Sequence, residues 1–185
     1  MNYLTPNIGS RVNPDFVVFS DDELYQLCKT TEDENRLGEM RMYEAAAMEQ
    51  FAMEAHVYLG LFSAKVISAE FLSGLIKSRP INNTESFLVK YYDVANVEQT
   101  LEATKYGVYS NGDKVQIIFG NDLPIVFDRP DAVQLEFEFG YDVCPVIIKN
   151  AIGMRVAYLI DNPMEVNRRW ATTFDLVINS FRKYN

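Results

Sequence analysis

Two cysteines, a single histidine and a pair of strand-borne glutamates are the side chains best suited to chemistry in this chain. Cys144 stands directly before Pro145 and an apolar run with helical spacing, and a helix N-terminus can acidify a thiol. A cysteine nucleophile works with a base, however, and the sole histidine, His56, offers no recognisable partner motif. Cys144 therefore reads as filler at a joint, and Cys28, in an amphipathic segment, as a small hydrophobe. No export signal pattern opens the sequence "MNYLTPNIGSRVNPDF", so two reduced thiols are expected rather than a disulfide. His56 lacks a Glu or His four positions away on its face, which leaves no metal-ligand cluster around it. Glu136 and Glu138 share one side of a strand pattern, roughly 6.6 Å apart by strand rise. Paired carboxylates can serve as acid and base in glycoside hydrolysis, but strict alternation explains them as the polar face of a half-buried strand. They are kept as a candidate acidic surface. Asp21, Asp22 and Glu23 suit the positive end of a helix, and "NNT" at 82–84 fits a glycosylation acceptor only by chance without export. Neither GxGxxG nor GxxxxGK[ST] occurs, so no cofactor is expected.

The elements that must position these groups sit in a chain of 185 residues, 48% hydrophobic and 23% charged, suited to a single domain with a real core. The net charge is −9, which opposes tight wrapping of nucleic acid, because such affinity comes largely from cationic contacts to phosphate. It is compatible with a surface past which DNA slides. Lys149, Asn150 and Arg155 interrupt the longest apolar run, so no membrane partner is expected.

Residues 1–20, punctuated by Pro6, Gly9 and Pro14, read as an extended leader. Ser20 and Glu23 have capping-box spacing and predict a short helix over about 21–29. The strongest helical period follows, over about 34–59, with Leu37, Met40, Tyr43, Ala47, Phe51, Ala55 and Tyr58 at steps of three and four and Gly60 as its stop. A β insertion over about 61–142 shows period two, clearest from 65 to 141. Asn111-Gly112 marks a tight hairpin turn between Tyr106-Val108 and Val115-Ile117-Phe119. "AVQLEFEFG" alternates cleanly, and Gly140 is expected to release the strand into a turn. After Pro145 a helix over about 145–161 is apolar on more than one side, and an amphipathic helix over about 172–182 closes the 143–185 segment. The expected class is α+β, a small helical bundle carrying an inserted antiparallel β layer.

The stretches "FLVKYYDVANVEQTLEATKYGVYSNGDKVQIIF" and "RPDAVQLEFEFGYDVCPVIIKNAIGMRVAYLIDNP" resemble the head–tail connector, or adaptor, proteins of tailed bacteriophages. Tyr91, Tyr92, Asp93, Gln99, Thr100, Leu101, Tyr106, Val108, Arg129, Pro130, Val133, Gly140, Tyr141, Pro145, Ile148 and Ala151 carry the likeness. Asn96 stands where such proteins often have glycine, and asparagine also tolerates the left-handed conformation. The leader and the ending "DNPMEVNRRW" depart from the family pattern.

The resemblance implies a non-enzymatic virion protein of the phage neck, made in the bacterial host cytoplasm. Its copies would form a homo-oligomeric ring, typically twelvefold, under the portal protein. The ring would extend the DNA channel, let double-stranded DNA pass without specific binding, and present a surface to the next neck or tail protein. On this reading Ile148, Ala151, Ile152, Arg155, Tyr158 and Leu159 form the core or subunit packing helix. Phe181, Arg182, Lys183 and Tyr184 are the candidate portal-docking tail. A stopper or tail terminator is the neighbouring alternative. A small hydrolase using Glu136, Glu138 or Cys144 is the remote one.

Overall fold

A computed structural model describes residues 3–29, 34–76, 86–110, 114–165 and 173–182. The fold is α+β and divides into two compact units, one of 1–14 with 60–141, the other of 15–59 with 142–185.

In the first unit β-branched and aromatic residues at period two build two sheets rather than one layer. The strands are β1 (Tyr3–Leu4), β2 (Asn7–Arg11), β3 (Gly60–Ser68), β4 (Gly74–Ile76), β5 (Leu88–Tyr92), β6 (Glu98–Thr100), β7 (Tyr106–Ser110), β8 (Val115–Phe119) and β9 (Val133–Tyr141). One sheet has the order β2-β3-β9-β5-β6 and is antiparallel throughout. The other has the order β1-β4-β8-β7, in which β1 and β4 are parallel, against the antiparallel expectation.

The span expected as a leader thus contributes a strand to each sheet. Its pairings are Tyr3 with Leu75 and Asn7 with Lys65. The hairpin expected around residues 111 and 112 pairs Tyr106 with Phe119 and Ser110 with Val115; the turn residues themselves lie outside the described segments. β9 is the central strand, pairing β3 along its whole length from Ser68–Val133 to Gly60–Tyr141. Gly140, at φ 106°, stays inside that ladder opposite Leu61, so the strand runs one residue beyond the expected break. Gln134 is buried as well, because a central strand is covered at that end on both faces. Val66, Val89, Leu135, Phe137 and Phe139 form the core of the larger sheet, with Phe87 stacked on Phe137 at 4.9 Å between ring centroids. Phe71 touches Tyr91 of one sheet and Phe119 of the other, at 5.8 and 5.3 Å. That ring joins the two sheets.

The second unit holds α1 (Asp21–Leu27), α2 (Glu34–Ala55), α3 (Val146–Asp161) and α4 (Thr173–Arg182). The capping box at α1 is formed: Ser20 Oγ accepts from the Glu23 amide at 3.2 Å and Glu23 Oε2 from the Ser20 amide at 2.9 Å. α2 buries Met40, Tyr43, Ala47, Phe51 and Ala55, five of the seven residues in its periodic stripe. It ends at Ala55, short of the expected 59. His56 turns left-handed at φ 55° and the Val57 amide reaches back to the Ala52 carbonyl at 3.2 Å, which is a Schellman closure. Gly60, also at positive φ, opens β3 instead of ending the helix. Pro145 is the N-cap of α3 and its carbonyl accepts from the Lys149 amide at 2.8 Å. α3 packs against α2 and α4, and α2 also contacts α1 and α4.

Candidate functional site

The centre of the helical unit is α3. Ile148, Ala151, Ile152, Arg155, Val156 and Leu159 are buried along one side, and Tyr158 is half-buried. Arg155 is wholly enclosed, an unusual place for a guanidinium. Its Nε donates to Gln50 Oε1 at 3.2 Å on α2 and its Nη2 to the Glu165 carbonyl at 3.0 Å. The Tyr158 hydroxyl donates to the Glu165 carboxylate, so α2, α3 and the turn at 163–165 meet on one arginine. Burial pulls the Arg155 pKa below its ordinary value, opposed by Tyr158, Glu165 and Glu54. The opposite side of α3 and its approach are exposed and apolar: Val143, Val146, Ile147 and Met154. Ile147 and Met154, seven residues apart, share one face of the helix, and Val143 precedes it.

In the β unit, several residues that carry the family resemblance converge on the turn between β5 and β6. Asp93 Oδ1 accepts from the Ala95 and Val97 amides at 2.9 and 3.0 Å, and its Oδ2 from Gln99 Nε2 at 3.0 Å. These bonds, led by the one from Val97, hold the Asp93 carboxyl below the usual aspartate range. Asn96 is left-handed at φ 59°, which meets the need that glycine meets elsewhere. Its Oδ1 accepts from Arg129 Nη1 at 3.1 Å. Arg129 also forks onto Asp131, at 2.5 and 2.7 Å, and lies 4.0 Å over the Tyr92 ring. Val94, Val97, Ile125 and Phe127 stand exposed around this clamp.

Glu136 sits between Lys65 at 3.3 Å and Lys90 at 2.9 Å on the flanking strands, and the Lys90 bond foremost lowers its pKa. Glu138 is half-buried and its amide donates to Ser86 Oγ at 3.3 Å. Both line a shallow groove of about 470 Å³ with Lys65, Ser63 and Leu88. Cys144 is half-buried, and its Sγ lies 3.8 Å from the Pro145 carbonyl as a donor. Burial pushes its pKa up to about 11, overcoming the nearby Lys149. At neutral pH it is a thiol, not a thiolate. Cys28 is likewise half-buried, unbridged and raised by burial. His56 is exposed and serves the helix end described above. Among the described residues no group of three or more His, Cys, Asp or Glu could hold a metal ion. None of the described helices is long and apolar enough to cross a membrane. Phe181 and Arg182 end α4, whereas Lys183 and Tyr184 lie outside the described residues, as do "NRRW" and "NNT".

One anchor carries no local sequence signal. Glu44 on α2 is 2% exposed and its Oε1 accepts from the Val18 and Phe19 amides at 2.7 and 2.9 Å. Arg41 bridges Glu44 and Asp21 and donates to the Phe19 carbonyl at 2.8 Å. A charged residue in a helix reads as solvated until the segment 25 positions away is seen to dock on it.

No family model matches the chain, and no curated protein matches it in sequence. Solved structures do match in fold. A chain from the virion of a native gene transfer agent particle superposes at a TM-score of 0.63 with 16% identity, covering 94% of each chain. A chain from the neck of the empty particle, computed with C6 symmetry, gives 0.61 and 13%, covering 96% of this chain and 94% of that one. A chain from the neck of the native particle, computed with C12 symmetry, gives 0.59 and 15% with the same coverage. This chain therefore shares the fold of those chains over 94–96% of its length.

Proposed function

We propose that this chain is a structural neck protein of a phage-like virion, a head–tail connector whose copies form a ring beneath the portal. The observation that carries the reading is the fold likeness, over 96% of this chain, to chains of necks with sixfold and twelvefold symmetry. The ring extends the DNA channel and offers the attachment surface for the next neck or tail protein. The four helices act as a small bundle, and α3 faces two ways within it. Its buried side holds the subunit together through Arg155, and the exposed apolar residues Val143, Val146, Ile147 and Met154 are left for a neighbouring copy. The net charge of −9 repels passing DNA instead of trapping it. Phe181, Arg182, Lys183 and Tyr184 dock on the portal.

Mixing the purified protein with portal-bearing heads and imaging the vertex tests this. A ring of about twelve copies under the portal is expected from the symmetry of the matched neck. A stable complex of one copy per portal, or no complex, refutes the proposal. Binding to purified tails and not to heads would make the protein a tail terminator.

A further inference from the structure

The larger sheet ends in two strands, β2 and β6, that have no further neighbour among the described residues. β6 is exposed along its length and β2 along nearly all of it. On β6 the Asp93 amide bonds the Val97 carbonyl and the Leu101 amide bonds the Val89 carbonyl, so odd-numbered residues face β5. The N–H and C=O of Glu98 and Thr100 therefore point away from the sheet. On β2 the Val12 amide bonds the Leu61 carbonyl while Arg11 sits opposite Phe62. By the same alternation the N–H and C=O of Arg11 point outward.

The two edges are also opposite in charge. From Thr5 to Pro14 the one charged residue is Arg11, and from Val97 to Glu102 the charged residues are Glu98 and Glu102. Two like edges brought together would oppose cation to cation or carboxylate to carboxylate, which is destabilising for cross-strand neighbours. Unlike edges attract. Four antiparallel steps separate β2 from β6, so both run in the same sense. A rotation that carries one copy onto the next keeps that sense, and it sets β6 of one copy parallel to β2 of its neighbour. Such a head-to-tail contact is heterologous, the kind that forms a ring when its rotation closes, whereas a two-fold contact makes only a dimer.

We infer that the β2 and β6 edges join successive copies of this chain, continuing the five-stranded sheet from subunit to subunit. The occupant of each edge is a second copy, recognised by outward backbone groups and by the Arg11–Glu98 charge pair. This rests on the ring assembly proposed above.

The test uses full-length protein on portal-bearing heads, in a Cys28→Ala/Cys144→Ala background, with a short bismaleimide. Ring occupancy is first measured by imaging, before the cross-linker is added. The Ser10→Cys/Thr100→Cys double variant is expected to give a ladder of covalent multimers, and each single variant to give none. Cross-linking within a single variant, or no ladder from fully occupied rings, overturns the edge contact while leaving the ring intact. Failure to form any ring overturns both proposals. A second variant, Thr100→Pro, removes an outward N–H without touching the bonds to β5, a substitution that edge strands tolerate. It is expected to raise the protein concentration needed for half-occupancy at least tenfold, with unchanged circular dichroism. Unchanged occupancy overturns the inference.

Discussion

Replacing Glu44 with alanine should be among the most damaging single changes in the helical unit. One carboxylate oxygen satisfies two buried amides, Val18 at 2.7 Å and Phe19 at 2.9 Å, whose residues are each 6% exposed. Alanine leaves both donors without an acceptor. An orphaned buried amide costs about 1–3 kcal/mol, so the pair costs roughly 2–6 kcal/mol. Arg41 softens the loss little, since it keeps Asp21 and the Phe19 carbonyl. With a urea slope of about 2 kcal/mol/M, a central loss of about 4 kcal/mol moves the midpoint down by about 2 M. Glu44→Gln keeps a carbonyl at the same place and exchanges charge-assisted bonds for neutral ones, so it should cost about 1–2 kcal/mol. Urea melts followed at 222 nm report on the helices and thus on this unit. A midpoint for Glu44→Ala within about 0.3 M of the parent would refute the view that Glu44 is the anchor of residues 18 and 19.

Cys144 should alkylate slowly. With its pKa raised from 9.0 to about 11, the thiolate fraction at pH 8 is on the order of a hundredfold below that of the unfolded chain, readable with iodoacetamide in native and denatured protein. Because the folded thiol binds its proton more tightly, its contribution to stability is full below about pH 9 and is lost as pH rises towards about 11. Asp93 works in the opposite sense. Its folded pKa is depressed, so the contribution is present above the ordinary aspartate range and fades as pH falls through the folded value, and the Ala95 and Val97 amide resonances should shift together below about pH 4. Asn96→Val should destabilise by about 1–2 kcal/mol, read from a thermal melt, since a β-branched residue resists φ near 59°, whereas Asn96→Gly should lose little.

What could be read from sequence is what neighbours in sequence decide. The capping box of Ser20 and Glu23, the stripe of α2, the proline start of α3 and the left-handed tolerance of Asn96 all depend on residues within a turn or two. The strands in residues 3–11 gave no such signal, because their partners Leu75 and Lys65 are supplied by distant chain. The early end of α2 was hidden for a related reason: histidine is seldom the residue that turns left-handed, and Gly60 advertised itself as the better stop. The candidate site divides in the same way. Tyr92, Asp93, Asn96 and Arg129 were legible as a pattern, but the meeting of Tyr92 and Asn96 on the Arg129 guanidinium depends on a contact between distant segments that spacing alone does not encode.

The pairing of Gly60 with Tyr141 bears on how the chain folds. α2 and α3 must find each other across everything from residue 60 to 141, and closing a free loop of that length costs roughly 4 kcal/mol in chain entropy. Once β3 and β9 have zipped, the entry and exit of the insertion are opposite residues on adjacent strands, and that cost has been met inside the sheet. The β unit then acts as a clasp, and the helices dock as if joined by a short linker. An insertion clasped in this way could change in length or sequence between its ends while the helices it interrupts continue to meet.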